Sequence, residues 1–290
     1  MNQQAQIVVG GPRSWLEPLF LNLGWASARL MDLLLTPFYA LYRMRLEAEM
    51  HSWRVPNHIG IIMDGNRRFA RRNLYMSILK GHARGADKLE ELLNWCEEAR
   101  VRVVTVWIFS LDNFNRDPDE VNGLMELFQE KFLELATHPR IHKNEIRVRS
   151  LGKIDTLPEP VRAAIRDAEA ATSHYSRRIL NVGIAYGGRE EIVDAFRKFL
   201  LDQASHGKTV PEICESLRPT DIEPYLYTSH VPDPELIIRT SGEVRLSGFL
   251  LWQSVYSEFY FCDTNWPAFR KIDFLRALRA FHHRQRRFGR

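Results

Sequence analysis

Residues 58–63 read HIGIIM and run directly into Asp64-Gly65. A short apolar run that ends at such a pair predicts a buried strand followed by a loop. Residues 102–109 read RVVTVWIF, and this β-branched and aromatic composition predicts a second strand. Between them, residues 81–99 carry apolar side chains at helical spacing. The segment therefore predicts a strand, a helix and a second strand in sequence.

The same alternation continues to the end of the chain. Further strands are predicted over residues 146–151, 179–185, 235–238 and 259–261, and further helices from Pro118 onward and over residues 158–173, 189–204 and 273–287. Such alternation predicts an α/β fold, with a mainly parallel central sheet flanked by helices on both faces. We see no internal repeat, and we predict a single domain over residues 51–290.

Composition narrows the function classes. The chain has 290 residues, of which 45% are hydrophobic and 26% charged, which excludes a disordered chain or a disulfide-stapled scaffold. The net charge of +4 suits anionic small molecules or an anionic membrane surface, and we expect no nucleic-acid partner. The three cysteines are widely spaced and form no CxxC. They indicate a reducing compartment and hence a cytoplasmic protein.

Residues 1–50 are predicted to form a separate apolar extension. Within residues 15–42 the apolar run is interrupted by Glu17, Asn22, Arg29 and Asp32, which disfavours a membrane-spanning helix. The same interruptions disfavour a secretory signal peptide. Two interpretations stay open. The extension forms amphipathic helices, peripheral on the inner face of the cell membrane or at the entrance of an apolar site, or it packs on the main domain.

Polar and basic side chains follow several predicted strands. In open α/β sheets, ligands bind at the carboxyl ends of the strands. The residues at these ends are Asp64, Ser110–Arg116, Gly187–Arg189 and Arg239.

The segment Asp64–Arg68 combines a carboxylate, a turn, an amide and two guanidinium groups. A carboxylate suits Mg²⁺, and backbone amides with Arg68 suit phosphate. A turn with solvated arginines is the alternative. A strand followed by Asp-Gly is also typical of phosphatases with an aspartyl nucleophile, but those need a second Asp where this chain has Asn66. His82, at a helix start, is either a phosphate ligand or a cap.

Residues 239–247, RTSGEVRLS, form a second candidate anion site. Arg239 and Arg245 offer bidentate donors, so the segment predicts a pocket for a diphosphate. Glu258, an isolated carboxylate among apolar neighbours, is either a paired structural group or a metal ligand. The basic residues 284–290 are either a solvated tail or a cover over an anionic site.

Taken together, the ordered motifs resemble those of the cis-prenyltransferases, the Z-isoprenyl diphosphate synthases. The motifs are HIGIIMDGNRRFA, GH at a helix start, FSLDNFNRDPDEV, NVGIAYGGREEI, IIRTSGEVRLSGFLLWQSVYSEFYF and a terminal RFG. One motif alone would be weak, but the ordered set from His58 to Gly289 is highly specific. The chain lacks the DDxxD of trans-type synthases and the GxxxxGK[ST], GxGxxG and HExxH motifs.

The resemblance implies a single domain with a hydrophobic tunnel. It implies a Mg²⁺-dependent homodimeric enzyme that condenses isopentenyl diphosphate with an allylic diphosphate. By resemblance, Asp64 and Asn66 are catalytic, and Asp64 and Glu258 bind the metal. The implied substrate-binding residues are Gly65, Arg68 and His82 (allylic side), Arg239, Arg245 and Ser247 (isopentenyl side), Phe109, Ser110, Asn113, Arg116 and Glu120 (mobile segment), Arg287 and Gly289 (from a neighbouring subunit), and in addition Arg67, Phe69 and Phe114.

Ile108 predicts the length of the product. Long-chain members commonly have Ala at this position, which faces the tunnel in the family, and a larger side chain would block elongation because packed interiors resist extra methylenes. Here the chain resembles actinobacterial short-chain Z-farnesyl diphosphate synthases. We therefore predict geranyl diphosphate as primer and (2Z,6E)-farnesyl diphosphate as product. The other predicted tunnel residues are Leu124, Leu127 and Val148.

Two alternatives stay open. If Ile108 merely packs the sheet, the product is a long polyprenyl diphosphate that serves as a lipid carrier for glycan assembly. A non-catalytic scaffold subunit is disfavoured, because this chain keeps Asp64, Glu258 and the terminal RxG. The chain also departs from the family at Ile78, where many members have Arg, which leaves the details of allylic diphosphate binding open.

Overall fold

Six parallel strands form the central sheet of the computed structural model, which describes residues 37–284. The strands are β1 His58–Ile62, β2 Val103–Trp107, β3 Ile146–Leu151, β4 Arg178–Gly183, β5 Leu236–Arg239 and β6 Glu258–Phe261. Their order in the sheet is β3-β4-β2-β1-β5-β6, and every pairing is parallel. The predicted α/β fold with a parallel sheet is confirmed.

Ten α-helices flank or precede the sheet in the described part of the chain. They are α1 over residues 37–50, α2 Asn66–Arg72, α3 Ile78–Glu98, α4 Pro118–Thr137, α5 Pro139–Lys143, α6 Glu159–Thr172, α7 Gly188–Ser205, α8 Val210–Ser216, α9 Pro219–Ile222 and α10 Lys271–His283. Among these described helices, none is long and apolar enough to cross a bilayer.

Helix α2 begins directly after the turn that was predicted at Asp64-Gly65. Gly65 caps the helix in a left-handed conformation with φ of 103°. A Cβ at this position would lie 2.5 Å from Asn265 Oδ1, so the turn requires glycine. A helix of seven residues is too short to show a periodic pattern, and the sequence therefore gave no helical signal here.

The register of the strands decides where the site lies. Ile62 pairs with Trp107 and with Arg239, and Trp107 pairs with Gly183. The segments that follow these four residues therefore emerge side by side at the carboxyl edge of the sheet.

The two faces of the sheet differ in what covers them. On one face, α4 packs along α6, and α6 packs on β3. On the other, Phe249 and Leu250 pack with Ile62 and Ile237 in a buried apolar cluster. Both faces are thus buried, as parallel sheets require.

The chain divides into two units between Ala48 and Glu49. In α1, Leu46 and Met50 are buried, whereas Phe38, Leu41 and Met44 are exposed. The predictions made for residues 1–36 lie outside the described residues, so both interpretations of the extension stay predictions.

Candidate active site

A polar cleft of about 560 Å³ opens at the carboxyl edge of the sheet. Six arginines line it, against a single carboxylate, that of Asp64. This imbalance of charge favours the binding of polyanions in the cleft. The predicted site residues that line it are Asp64, Gly65, Asn66, Arg67, Arg68, Ile108, His82, Ser110, Asn113, Arg116, Arg239, Arg245 and Ser247.

Arg239 organises the centre of the cleft. It is the last residue of β5, and its side chain is 5% exposed. Its guanidinium donates to Asp64 Oδ2 at 2.9 Å, to Ser247 Oγ at 2.9 Å and to the Arg245 carbonyl. The planar fork of arginine suits this task, since it presents several donors in fixed geometry. Arg239 therefore fixes Asp64 relative to the loop that carries Arg245 and Ser247.

Glu243 holds two of the cleft arginines. It forms ion pairs with Arg68 and with Arg245, the latter at 2.6 Å between Oε2 and Nη1. Arg68 also donates to the Ser241 carbonyl at 2.7 Å. Both arginines are about half exposed, and ion pairs of this kind contribute at most about 1 kcal/mol. A bound diphosphate, with more charge than one carboxylate, can therefore replace Glu243 as their partner.

Glu120 does not line the cleft but lies behind it. Its buried carboxylate contacts Arg116 at 3.1 Å, His82 Nε2 at 3.4 Å and Arg67 Nε at 3.5 Å. Burial, and after it the charge of Arg116, lowers the pKa of His82 to about 4. His82 is therefore neutral near pH 7 and would contact an anion as a hydrogen-bond donor without a charge. The role of Glu120 is to orient these three side chains.

Asn66 lies at a close contact between α2 and α3. Gly81 and Gly85 face it one turn apart in α3, and a Cβ on Gly85 would overlap its side chain. Its Nδ2 donates to the Met63 carbonyl at 3.3 Å, while its buried Oδ1 has no partner among the described residues. Buried polar atoms are normally paired, so this oxygen is available for a bound molecule.

The segment after β2 is ordered by local contacts. The Ser110 amide donates to Asn113 Oδ1 at 3.1 Å, and residues Leu111–Asn115 form a 3-10 helix. Phe114 packs edge-on against Phe109, with ring centroids 4.9 Å apart. Phe114 therefore supports the segment and does not line the cleft.

Phe69 likewise does not line the cleft in which it was predicted. It packs edge-on against Tyr75, with ring centroids 5.8 Å apart. Arg287 and Gly289 lie outside the described residues, so their predicted role stays a prediction.

The structure does not bring Glu258 and Asp64 together within one chain. Glu258 is the first residue of β6 and pairs with Leu236 at the amino end of β5, whereas Asp64 follows the carboxyl end of β1. Its carboxylate bonds Arg284 at 2.8 Å. Across residues 37–284, no three His, Cys, Asp or Glu side chains cluster as metal ligands. The paired structural group is therefore the interpretation of Glu258 that these contacts favour.

Asp64 alone still fits a magnesium site. Mg²⁺ commonly binds through one or two carboxylates together with substrate phosphates and water. Asp64 is 32% exposed to the cleft and has one oxygen, Oδ2, bound by Arg239. Its carboxylate is therefore accessible beside the place where a diphosphate would bind.

An apolar cavity of about 130 Å³ adjoins the cleft between α3 and α4. Four residues line both spaces, so the cavity opens from the cleft; they are Met63, Asn66, His82 and Ile108. Leu124 and Leu127 line the cavity as predicted. Around its outer part, Lys131 pairs with Asp87 at 3.3 Å and Arg140 with Glu90 at 3.6 Å.

Val148, a predicted tunnel residue, does not line this cavity. Val148 is buried in β3, and its amide donates to Thr172 Oγ1 of α6 at 3.0 Å. Helix α6 thus covers this position, and the sheet residues that line the cavity are Ile146 and Val182.

Sequence reasoning missed Arg71, which lines the cleft one helical turn after Arg67 and Arg68. Had a helix been predicted at residues 66–72, Arg71 would have been expected beside Arg67 and Arg68 on the helix surface, since residues three and four positions apart are neighbours there. It also missed the role of Glu243, for which no local pattern gives a signal.

Comparison with known proteins agrees with this geometry. The family whose model matches residues 62–289 is described as "Putative undecaprenyl diphosphate synthase". An isoprenyl transferase of Thermus thermophilus is 51% identical over 88% of this chain and 96% of its own length. A (2Z,6E)-farnesyl diphosphate synthase of Thermobifida fusca is 49% identical, over 89% of this chain and 100% of its own length. The lavandulyl diphosphate synthase of Lavandula x intermedia, solved with dimethylallyl diphosphate, superposes with a TM-score of 0.74 at 33% identity, covering 81% of this chain and 99% of that one.

Proposed function

This chain belongs to the undecaprenyl diphosphate synthase family of cis-prenyltransferases, and we propose that it condenses isopentenyl diphosphate with geranyl diphosphate to give (2Z,6E)-farnesyl diphosphate. The observation that carries this proposal is the junction of an arginine-lined cleft with a small apolar cavity. A prenyl diphosphate has an anionic head and an apolar tail, which match the two spaces.

The reaction breaks the carbon–oxygen bond of the allylic diphosphate and joins that carbon to the double bond of isopentenyl diphosphate. Diphosphate and a proton are released. Negative charge grows on the departing diphosphate, so donors fixed beforehand stabilise the transition state more than the ground state. Arg239, held by three hydrogen bonds, and Arg68, held by one to the Ser241 carbonyl, are such donors. Bound Mg²⁺, held by Asp64 and the substrate diphosphate, would neutralise further charge.

Asn66 and Ile108 occupy the place where head and tail meet, since both line the cleft and the cavity. We assign the unpartnered Asn66 Oδ1 to orienting a substrate hydrogen near the carbon that loses its proton. Apolar walls beside this point exclude water, which would otherwise hydrolyse the cation-like allylic centre.

The cavity volume supports a short product. A space of about 130 Å³ is small for a long hydrocarbon chain, since a single water molecule takes up about 30 Å³ in the liquid. A longer chain would require α3 and α4 to separate, and the ion pair Asp87–Lys131 between these two helices opposes that separation.

A long-chain synthase is the second candidate. Two observations favour it, namely the description of the matching family and the continuation of the cavity past Ile108 to Leu124 and Leu127. The homodimer, the cytoplasmic location and a peripheral membrane contact of residues 1–50 stay predictions from the sequence.

Product sizing tests the proposal. Purified protein with Mg²⁺ and labelled isopentenyl diphosphate is offered dimethylallyl, geranyl or farnesyl diphosphate, and the dephosphorylated products are sized. We expect a farnesyl-length product from geranyl diphosphate. We also expect Ile108→Ala to lengthen it, while Val148→Ala, a buried control outside the cavity, leaves it unchanged. Long polyprenyl products from the unaltered chain would overturn the short-chain proposal. No incorporation at all would instead favour a scaffold subunit.

A further inference from the structure

The turn between α2 and α3 exposes an apolar tip, Leu74-Tyr75-Met76. Leu74 is 81% exposed and Met76 96%. Leu74 also has a φ of 53°, in the left-handed region where glycine or asparagine is usual. An exposed leucine in this conformation contributes nothing to the packing of the fold. Strained and exposed residues of this kind point to a function outside the fold.

Basic residues flank the apolar tip along the chain. Residues 65–86 contain no Asp or Glu. The six Lys and Arg residues of this segment are Arg67, Arg68, Arg71, Arg72, Lys80 and Arg84. Arg71, Arg72 and Lys80 are exposed, and none of them has an ion-pair partner within residues 37–284. Exposed apolar side chains flanked by unpaired cations are typical of surfaces that bind anionic lipids.

The apolar tip lies beside the entrance of the cleft. Arg71 lines the cleft, and the tip begins two residues after the end of α2. Three side chains are far too few for a protein interface, which buries about 800 Å² on each partner. They suffice for shallow insertion among lipid headgroups, because such insertion needs no complementary surface.

We propose that the apolar tip inserts into the interface of an anionic bilayer, with Arg71, Arg72 and Lys80 on the lipid headgroups. This contact holds the entrance of the cleft at the membrane surface. There, an amphiphile with an apolar tail and an anionic head partitions between bilayer and protein. The proposal depends on the described turn and its charges, and not on the length of the product.

A fluorescent probe on the tip tests insertion directly. The full-length chain carries Cys214→Ser, since Cys214 is exposed while Cys96 and Cys262 are buried. Met76→Cys is then labelled with an environment-sensitive nitrobenzoxadiazole group. The control carries the label at Leu201→Cys, which is 72% exposed on α7. Both proteins are mixed with vesicles of phosphatidylcholine containing phosphatidylglycerol, and with vesicles of phosphatidylcholine alone.

We expect the label at position 76, but not at position 201, to shift to the blue on binding to the anionic vesicles. We expect Leu74→Ser with Met76→Ser to lower partitioning at least tenfold, and Arg72→Gln to lower it about fivefold. An unshifted label at position 76 on vesicle-bound protein would show that other residues, such as those of α1, bind the membrane, and would overturn the proposal. The proposal would also be overturned if the protein failed to bind the vesicles, or if the label shifted to the blue with rising protein concentration in the absence of vesicles.

Discussion

Replacing Arg239 by Lys tests whether this arginine organises the cleft. The guanidinium donates to Asp64, to Ser247 and to the Arg245 carbonyl, and it is 5% exposed. A lysine has one nitrogen and cannot reach all three acceptors, so about two hydrogen bonds are lost. Each hydrogen bond to a charged group contributes about 1.5–3 kcal/mol. Allowing for relaxation, we expect Arg239→Lys to lower the free energy of unfolding by about 2–4 kcal/mol.

Arg245→Lys is the matched control in the same cleft. Its side chain is 63% exposed and pairs with Glu243, so the expected loss is below about 1 kcal/mol. For a domain of this size, about 1 kcal/mol shifts the melting temperature by about 2–4 °C. Urea unfolding followed by circular dichroism gives both free energies. Equal losses in the two variants would refute the argument that burial makes Arg239 the organising residue.

Three further predictions follow from the same structure. Burial lowers the pKa of His58 from 6.5 to about 4. The unfolded chain therefore binds a proton at a higher pH than the folded chain, and the free energy of unfolding falls by up to about 3 kcal/mol as the pH drops from 6.5 to 4. In urea titrations, His58→Gln should flatten this fall. Gly65→Ala should lower the melting temperature more than Gly207→Ala. Both glycines have a positive φ, but only at Gly65 would the new Cβ meet a side-chain oxygen at 2.5 Å. Equal melting temperatures of the two variants would contradict this. Asp64→Asn should abolish turnover yet keep the fold, since the amide oxygen still accepts from Arg239; full activity would remove Asp64 from the mechanism.

Much of the fold could be predicted because its signals are local. The strand at residues 146–151 was predicted with its observed bounds, since its composition alone marks it. Asp64, Ser110 and Arg239 could be placed together because they lie at the carboxyl ends of parallel strands. Helix α2 could not be predicted from the sequence, because its seven residues are too few to show a periodic pattern.

The predicted site residues that lie outside the cleft and the cavity occupy positions that depend on long-range packing. Whether Val148 or Ile146 faces the cavity depends on where α6 lies across β3, which no local pattern shows. The position of Glu258, in contrast, could have been predicted, because it follows from the direction of the strand. A residue at the start of a parallel strand lies at the edge opposite to residues, such as Asp64, that follow one. The predicted strand at 259–261 already contained this information.

The two spaces that share Ile108 are built from separate stretches of the chain. The arginines come from residues 67–71 and 239–245, together with Arg116, whereas most of the apolar walls come from α3 and α4. Substitutions in the apolar walls therefore leave the charged groups in place. Natural variation can therefore change the length of the hydrocarbon that fits the cavity, while the residues that take part in bond formation stay the same. Enzymes that descend from one gene can then differ in their products without an inactive intermediate.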